Sequence, residues 1–213
     1  MSSHSDSSSS IDVSIPSPTK VAIFASGAGT NAQNLIQYFK EHPSVRISLV
    51  VCNKEGAGVV EIAKTAGLPV LMIKREQFLE RDGYLPELKA AGISFLVLAG
   101  FLWKIPATLV AAYPRRILNL HPALLPAYGG KGMYGAHVHE AVIASREKES
   151  GITIHYVDEH YDNGDILFQA TCRVTTGDTP KTLAAKIHAL EYQHFPAVVE
   201  GAITALNSTQ KKG

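Results

Sequence analysis

Cysteine is nearly absent from this chain: Cys52 and Cys172 stand alone and far apart among 213 residues. They can build neither a disulfide framework nor the paired spacing of a zinc finger, and they suit a reducing compartment. Missing too is any uninterrupted apolar stretch of the roughly 18 residues that a membrane span requires. The opening MSSHSDSSSS has neither the basic start nor the apolar run of a secretory signal, so the expected setting is the cytoplasm. No excess of either charge exists, since 20 Lys+Arg oppose 19 Asp+Glu for a net charge of +1. That balance excludes the broad basic surface of a sequence-independent nucleic-acid binder and leaves room only for a local basic pocket. What is present is globular in kind, with 46% apolar and 18% charged residues. A chain of this length buries a sizeable core without staples, and the expectation is one domain.

The punctuation of the chain gives its organisation. Residues 1–19 are Ser-rich, carry Pro16 and Pro18, and read as a flexible tail. Residues 207–213 read as a second loose end, which leaves 20–206 as a single domain without internal repeats. Within it, short apolar runs of strand type (Val21–Ala25, Arg46–Cys52, Val70–Ile73, Phe95–Ala99, Ile117–Leu120) alternate with helical spacing at 31–39, 59–66, 77–91 and 106–112. Such alternation predicts βαβ units: an α/β fold with an open, mostly parallel twisted sheet and helices on both faces. After Pro122 the pattern changes to a Gly/Pro-rich loop, a helix at 137–146, strands at 152–157 and 166–174, and a closing helix from Pro180 to about Ala205. Thr179 suits the N-cap of that helix and Pro180 its first turn, while Pro196 is expected to kink or split it.

Ser26-Gly-Ala-Gly-Thr-Asn31 lies between the first strand and the first helix. Glycines allow a tight turn and a close backbone approach, and the free N–H groups of a helix start favour an anion. Two occupants fit. Gly27-x-Gly29-x-x-Ala32 loosely matches a dinucleotide fingerprint, but that reading wants an acid at the end of the second strand, where Cys52-Asn-Lys54 stands with Glu55 a poor substitute. A single phosphate is the alternative, with Thr30 and Asn31 adding side-chain donors.

The densest chemistry is Ile117-Leu-Asn-Leu-His-Pro122. Alternation along a strand puts Asn119 and His121 on one face, and Pro122 ends the strand at once. Both therefore project from the carboxyl end of a parallel strand, where open α/β sheets place ligands. An amide donor and a titratable donor together suit a carbonyl oxygen that becomes negative under attack by an amine. Imidazole serves best there as the cation, which calls for a neighbouring carboxylate. The eleven residues His155–Asp165 hold four acids and two histidines. They follow no recognised metal spacing, so the segment reads as a loop presenting one carboxylate to His121, from among Asp158, Glu159, Asp162 and Asp165.

The blocks VAIFASGAGTN, VLAGFLWKIP, ILNLHPALLPAYGG and GITIHYVDEHYDNGDIL occur in that order. In them the chain resembles the phosphoribosylglycinamide formyltransferases, folate-dependent transformylases of purine synthesis, over about Lys20 to Ala205. The resemblance implies a Rossmann-like fold and transfer of a formyl group from 10-formyltetrahydrofolate to the amine of glycinamide ribonucleotide, with no metal. It implies that Asn119 and His121 polarise the formyl group and that Asp162 keeps His121 charged and relays protons through water. By the same likeness Gly29, Thr30 and Asn31 meet the phosphate end of the ribonucleotide and Glu191 holds its glycinamide. The pterin of the folate would lie against Leu102, Trp103, Lys104 and Ile105 and against the loop of Asp158, Glu159, His160, Tyr161 and Asp162. His155 belongs to the motif but reads equally well as structural.

The chain also departs from the family. Trp103-Lys104 stands where many members have Arg-Ile, and the loop Gly129–Gly135 is longer and more basic than usual, so that Lys131 becomes a candidate for a phosphate or for the folate's glutamate end. An arginine for that end is Arg75 or Arg81. His137 and His139, two apart at a helix start, do not share a face and read as non-metal. Related enzymes that hydrolyse formyltetrahydrofolate or formylate tRNA usually carry a further domain, a sugar-nucleotide formyltransferase fits the length but is disfavoured by the AGTN turn, and a non-catalytic nucleotide module would leave the NLHP and DNG blocks without a role. The expected partners are the two small molecules alone, with no nucleic acid or membrane, and the protein a monomer or homodimer.

Overall fold

The computed structural model describes residues 17–210. Most of the Ser-rich stretch read as a tail lies outside them, but Thr19 already begins the first strand and pairs with Val45. The elements run β1 (Thr19–Ala25), α1 (Thr30–Tyr38), β2 (Val45–Cys52), α2 (Gly58–Thr65), β3 (Val70–Met72), α3 (Arg75–Glu80), α4 (Leu85–Ala90), β4 (Phe95–Leu98) and α5 (Ala107–Ala112). They continue with β5 (Ile117–His121), α6 (Ala136–Ala144), β6 (Glu149–Tyr156), β7 (Ile166–Arg173) and α7 (Pro180–Gln210). Seven strands form one sheet in the order β3-β2-β1-β4-β5-β6-β7. The first five are parallel, and β6 and β7 are antiparallel additions.

Strand alternation explains why both faces are covered. Val21, Ile23 and Ala25 enter one apolar core with α1, α2, α6 and α7, while Ala22 and Phe24 enter the other with α3, α4 and α5. Taking Val21, Ile23 or Phe24 out of water stabilises the fold by about 1.5–3 kcal/mol each. The chain winds outward from β1 to β3, then crosses back to put β4 on the other side of β1. This reversal opens a crevice at the carboxyl ends of β1 and β4, the place where such sheets receive ligands. Ser26 clamps it, its N–H donating to the Gly100 carbonyl at 3.1 Å and its Oγ accepting from Leu102 N–H at 3.1 Å.

Three expectations change. The single helix over 77–91 is two, α3 and α4, because Asp82-Gly83-Tyr84 turns the chain with positive φ at Gly83 (66°) and Tyr84 (61°), and Pro86 suits only a first turn. Pro196 does not split α7, which stays helical from Pro180 to Gln210. Proline deprives the Tyr192 carbonyl of its usual donor four residues on, and Asn34 Nδ2 of α1 donates to that carbonyl instead at 3.0 Å. The lost helical bond thus becomes a tie between helices. The loose end read over 207–213 is also helical as far as Gln210, with Asn207 Nδ2 donating to Thr19 Oγ1 at 3.1 Å. The start of α7 follows the sequence, since Thr179 Oγ1 accepts from Thr182 N–H and Thr182 Oγ1 accepts from Thr179 N–H.

Candidate active site

A cleft of about 1060 Å³ runs across the carboxyl ends of β1, β4 and β5. Its centre is built by strand register. In the β5–β6 pair Asn119 lies opposite His155 and His121 opposite Thr153, so two histidines and an asparagine converge where β5 ends. Asp162 comes to them from the β6–β7 loop with φ of 50°, a left-handed backbone that an aspartate tolerates better than most residues. The turn depends on Gly164, whose missing side chain leaves room for the Tyr156 carbonyl.

Hydrogen bonds fix the tautomers. His155 Nδ1 donates to the Tyr156 carbonyl at 2.8 Å, so its Nε2 is a bare acceptor and takes one Asn119 amide hydrogen at 3.1 Å. The other Asn119 hydrogen goes to Asp162 Oδ1 at 3.3 Å. His121 Nε2 donates to the Tyr128 carbonyl at 2.8 Å, and its Nδ1 faces Asp162 Oδ2 at 3.6 Å, too long for a hydrogen bond. The same Asp162 oxygen accepts from Gly130 N–H at 2.9 Å. Among the four candidate carboxylates, then, Asp162 is the one beside His121. Asp165 pairs with Arg115 at 2.7 Å, Asp158 accepts from His160 N–H, and Glu159 is exposed and does not line the cleft.

In this arrangement the Asn119 amide hydrogens and the His121 Nε2 hydrogen are engaged within the protein. Burial pushes the His121 pKa below the ordinary imidazole value, outweighing the opposing pull of Asp162 and of the Tyr128 carbonyl. Burial alone would raise the Asp162 carboxyl, but the polar groups around it, the Gly130 N–H at 2.9 Å among them, bring it below the usual range.

One end of the cleft is the glycine turn. Gly29 caps α1 in the left-handed region at φ 81°, with no side-chain cap, so the N–H groups of the first turn stay open to an anion. Glu191 is buried on α7, and its Oε2 accepts from Asn31 Nδ2 and from His188 Nδ1, both at 2.8 Å. The sequence named Asn31 and Glu191 separately; the fold joins them across the α1–α7 seam. Its hydrogen bond to Glu191 raises the His188 pKa against the effect of burial. Lys54 is the residue that faces the cleft after β2, a cation where dinucleotide ribose binding wants an acid.

The other end is walled by Leu102, Trp103, Lys104 and Ile105, facing Asp158, His160 and Tyr161. Lys104 Nζ lies 6.0 Å from the Tyr161 ring across that mouth. Arg75 lies 5.9 Å over the ring of Trp103, whereas Arg81 pairs with Glu76 at 3.3 Å on the surface, and neither arginine lines the cleft itself. Lys131 lines the cleft and is exposed. His137 points away to Glu140 at 3.4 Å, while His139 is buried and lines the cleft. Sequence reasoning missed His139 and His188 as cleft residues. The i, i+3 spacing of His188 and Glu191 was the available signal for the second, and only packing reveals the first. Among the described residues no group of three or more His, Cys, Asp or Glu is placed to hold a metal ion, and no helix is long and apolar enough to cross a membrane.

A ligand crevice at the sheet's reversal, an Asn-x-His strand end and a loop aspartate beside it define one class: the chain belongs to the formyl transferase family, whose profile matches residues 19–199. Its relatives are more particular. Over 195 residues it is 44% identical to the chloroplastic phosphoribosylglycinamide formyltransferase of Arabidopsis thaliana, covering 88% of this chain and 66% of that protein. It is 32% identical to the phosphoribosylglycinamide formyltransferase of Bacillus subtilis over 90% of this chain and 98% of that one. The crystal structure of the Bacillus halodurans enzyme of that name superposes with a TM-score of 0.77 at 39% identity, covering 85% of this chain and 93% of the other. The match therefore spans just under two-thirds of the plant relative's length and nearly all of the bacterial ones.

Proposed function

We propose that the chain transfers the formyl group of 10-formyltetrahydrofolate to the primary amine of glycinamide ribonucleotide, a step of purine synthesis. The carrying observation is the placement of Asn119, His121 and Asp162 midway along one cleft, between a helix start without a side-chain cap and an open wall with Trp103 and Tyr161. The relatives' shared name supports the same substrate.

The ribonucleotide enters with its phosphate on the Gly29–Asn31 turn and its glycinamide toward Glu191. The folate lies along Leu102–Ile105 and the Asp158–Asp162 loop, with its glutamate end toward Arg75. The amine nitrogen bonds to the formyl carbon, and the carbonyl oxygen becomes negative. Asn119 and His121 then turn hydrogens now held by Asp162 and Tyr128 toward that oxygen. The developing charge favours the imidazolium that burial opposes in its absence, and Asp162 beside it favours the same form. The carbon–N10 bond breaks as the folate nitrogen takes up a proton and the amine loses one, the transfer passing by Asp162 and water. Holding both molecules in one cleft supplies a large part of the rate.

The test is folate absorbance on mixing the protein with 10-formyltetrahydrofolate, with and without glycinamide ribonucleotide. Deformylation that depends on the ribonucleotide and yields its formylated product is the expected result; deformylation without it marks a hydrolase, and no reaction refutes the reading. We place the activity in the cytoplasm, in a monomer or homodimer. The Arabidopsis relative is named as chloroplastic, and localisation of a fluorescent fusion decides between the two.

A further inference from the structure

His139 has no part in the chemistry above, yet it is built into the cleft. It lies on α6 with 5% of its surface exposed, and that remnant lines the cavity. Its Nδ1 is sealed from solvent and has no hydrogen-bond partner. Orphaned buried N–H groups are rarer in proteins than orphaned acceptors. The low-energy ring is therefore the neutral one with Nδ1 bare and the hydrogen on Nε2. A second hydrogen would have to sit on Nδ1, where nothing can accept it. Burial disfavours the cation, and so do His188 of α7 and His121 of β5, with only Glu191 of α7 opposing them. An imidazole fixed in this way is a permanent single donor at the cleft surface, set among the group at the formyl centre and the pair at the glycinamide end.

From this geometry we infer that His139 binds the ribonucleotide by donating Nε2–H to an uncharged oxygen, a carbonyl or hydroxyl lying between the phosphate and the amine. This assignment rests on the transferase reading for its ligand, but not for its tautomer. A phosphate is the wrong partner, because it would favour a cation that the sealed Nδ1 cannot accommodate. The open N–H groups at Gly29–Asn31 suit the phosphate better.

The experiment compares wild type, His139→Ala and His139→Gln. Calorimetric titration with glycinamide ribonucleotide alone is combined with steady-state rates for both substrates. Loss of one buried hydrogen bond predicts a rise of about tenfold in Kd and KM for the ribonucleotide in His139→Ala. It leaves kcat within about twofold and KM for the folate unchanged, and glutamine, which offers a donor at similar reach, recovers most of the affinity. A second measurement is the ¹⁵N imidazole spectrum of the free protein, expected to show His139 neutral at pH 7 with its hydrogen on Nε2. Should the alanine variant fail to fold, the glutamine variant and the spectrum still decide. Unchanged ribonucleotide affinity in His139→Ala overturns the inference, as does a fall in kcat at constant KM, or a hydrogen found on Nδ1. A wild-type enzyme that forms no formylated ribonucleotide instead sinks the transferase reading, and the spectrum then tests the tautomer alone.

Discussion

Gly29→Ala is the sharpest test of how the fold makes the glycine turn before α1. At φ 81° the glycine occupies a conformation that costs an alanine about 1–2 kcal/mol. The space is closed as well: a Cβ there would lie 2.7 Å from both Cα and Cβ of Val59, itself fully buried on α2. Because the obstacle includes backbone, no rotamer relieves it, and overpacking of this kind costs about 1–3 kcal/mol. The middle of the combined range, about 3.5 kcal/mol, lowers Tm by about 7–14 °C in a chain of this size. Gly27→Ala is the control, since nothing lies within 4 Å of a Cβ there and its φ is not in the left-handed region. It should stay within about 0.5 kcal/mol of wild type. Scanning calorimetry reads both, and ribonucleotide KM should rise in Gly29→Ala because relief of the clash displaces the start of α1. Equal Tm values for the two variants would refute the reasoning, since both are glycines of the same turn and differ only in φ and in what surrounds them.

His121→Ala and Asp162→Asn should each lower kcat by 10²-fold or more, the scale for losing one oxyanion donor, while equilibrium dialysis still detects both substrates bound; near-wild-type turnover in either removes the triad. Arg75→Ala should raise KM for the folate several-fold with kcat little changed, and Arg81→Ala should leave it alone, because only Arg75 lies over Trp103 of the cleft wall. Asp178 is held below the usual carboxylate range by Lys186 at 2.6 Å, by the N–H and hydroxyl of Thr175 and by the hydroxyl of Thr182. A carboxylate depressed on folding contributes stability above its unfolded pKa and loses it as pH falls through the folded value. Wild-type Tm should thus decline more steeply under acid than that of Asp178→Asn, and parallel acid limbs would contradict the assignment.

The legible part of this protein was whatever a local period or a backbone constraint encodes. Strand alternation placed Asn119 and His121 together and Pro122 after them, and the capping pattern at Thr179 marked the start of α7. Asp82-Gly83-Tyr84 was misread because apolar spacing continued across a turn that only the backbone angles disclose. Pro196 was misread for a different reason: its penalty is real, but Asn34, distant in sequence, satisfies the carbonyl it frees. The site divides along the same line. That His121 needed a carboxylate followed from its chemistry, and the resemblance named Asp162, but the residues' own pattern left four acids open until the loop brought Asp162 beside His121, and the lowered His121 pKa comes from a burial that composition does not record. His139 is the extreme case. Two residues from His137 and of the same type, it differs only in facing α7 and the cleft rather than water, and that difference turns an ordinary surface histidine into a donor with one available hydrogen.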